Sequence, residues 1–127
     1  MKQEITTWEQ FNKFHLAFQS LMGDEREALR ARYPGMVQEY LLGVICGTIQ
    51  SNCTACFKYT GTFSRKDAED IVYKAQDEFL FGNVSAVGKR VLSAHFARIS
   101  NTILNQAFDI AINGGDLPSL EGWGPVR

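Results

Sequence analysis

The chain has 127 residues, a formal net charge of −1, 45% hydrophobic residues and 21% charged ones. That length predicts one domain, able to bury roughly two thirds of the surface its unfolded chain exposes. The near-neutral balance lacks the basic field expected of a nucleic-acid-binding domain or of a protein held on an anionic membrane.

The opening Met-Lys-Gln-Glu-Ile-Thr-Thr-Trp is polar and carries no secretory apolar segment. The longest apolar run, Tyr40 to Ile49, is far short of the ~20 residues a membrane helix needs. The expected location is the cytoplasm, and the odd count of 3 cysteines argues against a disulfide framework there.

Between Gly and Pro marks the apolar period is helical throughout. Thr6 with Glu9, or Thr7 with Gln10, forms a capping box that opens helix one. Trp8, Phe11, Phe14, Phe18, Leu21 and Met22 then share one face, and Gly23 is a natural stop. Asp24 with Glu27 caps a short second helix to Tyr33, ended by Pro34. The third helix is predicted from Met36 to Tyr59 and holds Gly43, Gly47, Ser51 and Ala55 at every fourth position. A glycine inside a helix costs about 1 kcal/mol relative to alanine, so two of them imply close packing along that stripe. Gly61 closes this helix, and Ser64 with Asp67 caps a fourth.

In the fourth helix Ala68, Ile71, Val72, Ala75 and Phe79 face inward, while Lys66, Asp70, Lys74 and Glu78 alternate in sign on a solvated face. The fifth runs from Ser85 to Asn113 with Leu92, Phe96, Ile99, Ile103, Ala107 and Ile110 on its core side. No segment shows strand alternation. The predicted fold is an all-α compact bundle of about five helices in one domain, residues 1–113, with helices three and five at its centre. A Gly/Pro-rich C-terminal tail, 114–127, follows.

The chemical motif is Cys53-Thr-Ala-Cys56, which on a helix puts two thiols one turn apart. A zinc site would need His15 or His95 from another helix, because a second CxxC is missing, so no metal or other cofactor is expected. If helix three is continuous, the pair sits in its last turns, where the dipole opposes thiolate formation. If the helix breaks at Gln50-Ser51-Asn52, Asn52 becomes an N-cap and Cys53 is activated. The CxxC at the end of an apolar helix resembles the AhpD-like (carboxymuconolactone decarboxylase-like) helical family, whose members carry Glu, then CxxC, then His four residues later. That resemblance implies a helical thiol oxidoreductase using Cys53 and Cys56. Here Thr60 stands at the His position, and Glu39 lies further upstream than the family's acid. Packing is the favoured role for all three thiols, because free cysteine is among the most buried residue types.

His15 and His95 border aromatic and core faces, and no triad, phosphate loop or inward carboxylate pair is present. On helix five, Arg90, Arg98, Asn101 and Asn105 fall in one broad sector, with Lys89 and Arg90 near the unfavourable positive end of the dipole. This sector is the candidate contact surface for an acidic partner protein, and Trp123 of the tail is expected to dock on its own domain or on a neighbouring subunit. The function expected from these residues is that of a small cytosolic, non-catalytic protein-binding or regulatory module (an inhibitor or accessory protein, for instance) that self-associates as a homo-oligomer. The alternatives are the thiol oxidoreductase and a small-ligand-binding bundle with a pocket lined by Phe14 and Phe18.

Overall fold

The computed structural model describes residues 3–35, 39–80 and 86–114, with the backbone alone at 39 and 40. Helix α1 spans Trp8–Arg32, α2 Glu39–Thr60, α3 Arg65–Leu80, α4 Ala86–Arg98 and α5 Leu104–Asn113. A π-helical segment, Ile99–Ile103, joins α4 to α5 without a break, so the described residues form four helical rods rather than about five. Two short strands, β1 (Glu4–Ile5) and β2 (Phe63–Ser64), pair antiparallel with Ile5 opposite Phe63. The fold is all-α apart from this ribbon, which is too short to show any alternation in the sequence.

The helix ends follow local chemistry. Thr7 Oγ1 accepts the Gln10 backbone N–H at 3.1 Å, and the Gln10 side chain reaches back to the Thr6 N–H at 2.9 Å. Ser64 and Asp67 form the reciprocal box, each side chain accepting the other's backbone N–H at 3.1 and 3.0 Å. Gly61 (φ +74°) and Gly114 (φ +73°) end α2 and the C-terminal rod in the left-handed conformation.

Gly23 does not end α1, which corrects the two-helix expectation. Its φ is not positive, and it lies buried inside the 25-residue helix. The continuation beyond Gly23 buries Leu29 and brings Glu25 onto α4, so tertiary contact outweighs a weak local stop signal.

The core is a ring of phenylalanines. Phe11 stacks on Phe57 with centroids 4.9 Å apart, and Phe14 meets Phe63 at 5.2 Å and Phe108 at 4.9 Å. Such pairs add about 0.5–1.5 kcal/mol each beyond area burial. The small ribbon matters here because it carries Ile5 and Phe63, both 0% exposed, into this ring. Trp8, expected on the core face, is 51% exposed, although its ring packs at right angles to that of Phe57 with centroids 4.7 Å apart.

α1 packs most extensively on α5, so these two rods, not α2, form the centre. α2 is one unbroken helix that buries Leu42, Ile45, Ile49, Cys53 and Phe57. The ladder of small residues turns the other way: Gly47, Ser51 and Ala55 are exposed. Ile45 and Gly47 are two residues apart, about 200° around a helix, so both stripes cannot face the core. The bulky stripe goes in because it removes more apolar area from water.

Candidate functional site

Three regions hold the residues singled out by their chemistry. The first is the CxxC pair. α2 does not break at Asn52, so Cys53 and Cys56 stay in its last turns. Cys53 is 1% exposed and packs in the core, while Cys56 is half-buried beside α3. Burial pushes the Cys53 thiol far up, with Cys56 and Asp67 adding in the same direction. Burial and Asp67 also raise Cys56, against a small opposing hydrogen bond from Thr60. Cys46 is pushed up to about 11 by burial, with the Arg26 charge partly opposing. Thiolates are the reactive species, so this environment suppresses rather than activates the thiols. Thr60, at the position of the AhpD-like His, has its hydroxyl directed to the Cys56 carbonyl at 2.8 Å. Among the described residues, no three His, Cys, Asp or Glu side chains come together to hold a metal ion.

The second region is the polar side of the C-terminal rod, and it is engaged within the molecule. Glu25 of α1 accepts hydrogen bonds from His95 Nδ1 at 2.9 Å and from Arg98 Nε at 2.6 Å. His95 is 1% exposed, and its Nε2 is enclosed without a partner among the described residues. Burial alone would raise the Glu25 carboxyl, but the hydrogen bonds and charges of His95 and Arg98 outweigh it and hold Glu25 below its ordinary range. Asn105 accepts from Arg65 Nη1 and donates to the Asn101 carbonyl. Arg65 Nη2 also donates to the Ser100 carbonyl at 2.6 Å, and Arg65 Nη1 to Gln3 at 3.1 Å.

Side chains therefore occupy two carbonyls of the π turn. Its wider register is marked by the Leu104 N–H bonding Ile99 five residues back. Arg98 thus ties the rod to α1 and Asn105 ties it to α3, while exposed Asn101 is bonded only by Asn105 within the rod, and Arg90 stands apart on the exposed side of α4. Trp123 lies outside the described residues. Sequence reasoning missed Arg65 and Glu25 as partners; each looks like one more helix-surface charge, and only long-range packing pairs them.

The third region is the outward side of α2 and the clefts beside it. Residues 41–57 contain no charged side chain. Their solvent side presents Val44, Gly47, Ser51 and Ala55. Toward α1 this side adjoins a shallow groove lined by His15, Gln50, Thr54 and Lys58. Burial lowers the His15 pKa, and its ring nitrogen Nε2 meets the Gln50 amide at 3.4 Å. Toward α3 the same side adjoins a groove lined by Asn52, Cys56, Tyr59 and Ile71, where Tyr59 is 90% exposed. Phe14 and Phe18 are buried among other rings, and none of the described cavities is lined by either.

Comparison with protein-family models, with curated proteins and with solved structures returned no match. The likeness to AhpD-like proteins therefore rests on the CxxC alone. The class the geometry defines is a four-rod helical bundle with a packed aromatic core, and no helix of the described residues is long and apolar enough to cross a membrane.

Proposed function

We propose that this chain is a small, non-catalytic protein-binding module that pairs through the outward face of α2, foremost with a second copy of itself. One observation carries the reading: an exposed helix face without charge over residues 41–57, in which Gly47, Ser51 and Ala55 leave the backbone open to close approach. Solvated helix faces are normally charged, as the ion pair of Lys66 with Asp70 at 3.5 Å illustrates on α3. A face of small neutral residues costs helix propensity without improving solvation. A helix laid across it at short interaxial distance would recover that cost through van der Waals contact. The suppressed thiols and the internal pairing of Arg98 and Asn105 weigh the same way, because they move the candidate surface from the C-terminal rod to α2.

The partner face is neutral and small-sided, so a complementary helix of the same kind satisfies it, and the chain itself supplies one. Light scattering over a wide concentration range tests this. The expected result is a mass that rises toward the dimer, and that Ala55→Arg returns to the monomer with an unchanged circular dichroism spectrum. A constant monomer mass for the unaltered chain rejects self-pairing.

A further inference from the structure

Between α1 and α2, at the Gly47 edge of the pairing face, lies a cleft of about 190 Å3. Its floor is apolar, made by Met22 and Leu42, and its walls include Gly43 and Gly47, which leave it open. Gln19 and Gln50 bring side-chain amides to the rim. Among the described residues Arg26 is its only charged lining residue.

Three facts single out this arginine. Its Nε is enclosed and has no hydrogen-bond partner, and no carboxylate pairs with its guanidinium among the described residues. Arg30, one turn on, does pair, with Glu27 at 3.4 Å. Arg26 also lies against α2 at Gly43, where an added Cβ would stand 3.4 Å from Nη1, so glycine there leaves room for the guanidinium. Its charge reaches the cleft wall, where it partly opposes the burial that raises Cys46. The enclosed Nε, out of reach of solvent, holds the guanidinium in place, so an incoming oxyanion meets Arg26 through its Nη groups and supplies the counter-charge that no described carboxylate provides.

We infer that this cleft binds a small organic monocarboxylate, with Arg26 holding the carboxylate and the apolar floor taking a short carbon tail. The planar guanidinium fork matches a carboxylate in a bidentate manner. One positive charge balances a monoanion, whereas phosphate near neutral pH carries more charge and asks for more donors than one arginine and two amides provide. The volume equals about six water molecules at ~30 Å3 each, too small to enclose a nucleotide or a drug-sized ligand. The cleft shares Gly47 with the pairing face of α2, whereas Arg26, Met22 and Leu42 belong to the cleft alone, so Arg26→Met tests the ligand site and Ala55→Arg tests the pairing separately.

The test is titration of the full chain with propionate, followed by NMR, alongside its neutral isostere propionamide and inorganic phosphate. The expected result is saturable propionate shifts at the Gly43 and Gly47 amides and at the Arg26 side chain, with much weaker responses to the other two probes. Arg26→Met is expected to weaken propionate by about tenfold or more, the loss of a charge-assisted bond. Gly47→Leu, whose Cβ has nothing within 4 Å, fills the cleft and serves as an independent variant should Arg26→Met fold poorly. Propionate shifts that never saturate, propionamide or phosphate binding as tightly as propionate, or full propionate binding in a folded Arg26→Met or Gly47→Leu protein would each overturn the assignment.

Discussion

Replacing Glu25 by alanine should be among the most damaging single changes outside the phenylalanine core. Alanine is the best helix former, so α1 itself loses nothing. What is lost is the acceptor shared by His95 Nδ1 at 2.9 Å and Arg98 at 2.6 Å. The two donors are not equal. The His95 side chain is 1% exposed, so a stranded N–H there costs about 1–3 kcal/mol. The Arg98 side chain is 38% exposed and rehydrates, so its pairing counts for only ~0–1 kcal/mol. The sum is about 1–4 kcal/mol, or a fall in Tm of roughly 4–16 °C for a domain of this size.

Urea denaturation followed by circular dichroism measures it, with Arg98→Met and the double variant Glu25→Ala/His95→Phe beside it. Arg98→Met should cost less than about 1 kcal/mol. The double variant should recover part of the Glu25→Ala loss, because it removes the stranded polar group and leaves an apolar ring. A Glu25→Ala protein within about 0.5 kcal/mol of the unaltered chain would refute the reasoning, since it would mean that His95 finds another acceptor.

Three further outcomes follow from the same geometry. Glu25 is held below its ordinary carboxyl value of 4.5, so its contribution is fully present above that pH and is lost as pH falls through the lower folded value. The urea midpoints of the unaltered chain and of Glu25→Ala should therefore converge on acidification below 4.5; parallel curves would contradict the pairing. For the thiols, a disulfide exchange reagent at pH 8 should label half-buried Cys56 first, Cys46 slowly and Cys53 only on unfolding; rapid labelling of Cys53 in the native protein would show an opening that its burial forbids. Gly61→Ala should lower stability by about 1 kcal/mol, because φ is +74° there while the added Cβ meets nothing within 4 Å, so the cost is conformational alone. A neutral substitution in the same urea assay would mean that α2 ends differently.

The parts of the fold that were legible beforehand are those governed by neighbours in the chain. The reciprocal box of Ser64 and Asp67, the Thr7 cap and the glycine stops at Gly61 and Gly114 each depend on residues within four positions, and each stands where the pattern put it. The inward residues of α3 and of the C-terminal rod followed from period alone, as Ala68, Val72, Leu92, Phe96 and Ile103 show. The role of His15 as a hydrogen-bonded edge residue was readable from its place beside an aromatic stripe.

The site was less legible. The polar sector of helix five reads as a surface from its own sequence, because nothing nearby in the chain reveals that Arg98 meets Glu25 across 73 residues or that Asn105 meets Arg65 across 40. The stripe of small residues on α2 was visible, but its direction was not. An apolar run that is hydrophobic all round gives no moment to choose between Ile45, Ile49 and Cys53 on one side and Gly47, Ser51 and Ala55 on the other. Competition for burial made that choice.

By itself, then, the amino-acid sequence determined the caps at Thr7 and Ser64, the stops at Gly61 and Gly114 and which residues are bulky enough to fill a core, since caps, turns and periodicity act over a single helical turn. Tertiary structure alone decided that α1 runs on through Gly23, that the last rod widens into a π turn under Arg65, that two strands of two residues close the phenylalanine ring, and that α2 shows its bare side to solvent. Those outcomes depend on which distant surfaces meet, and hydrogen bonds and buried area gained across 35 to 73 residues outweigh local preferences worth about 1 kcal/mol or less.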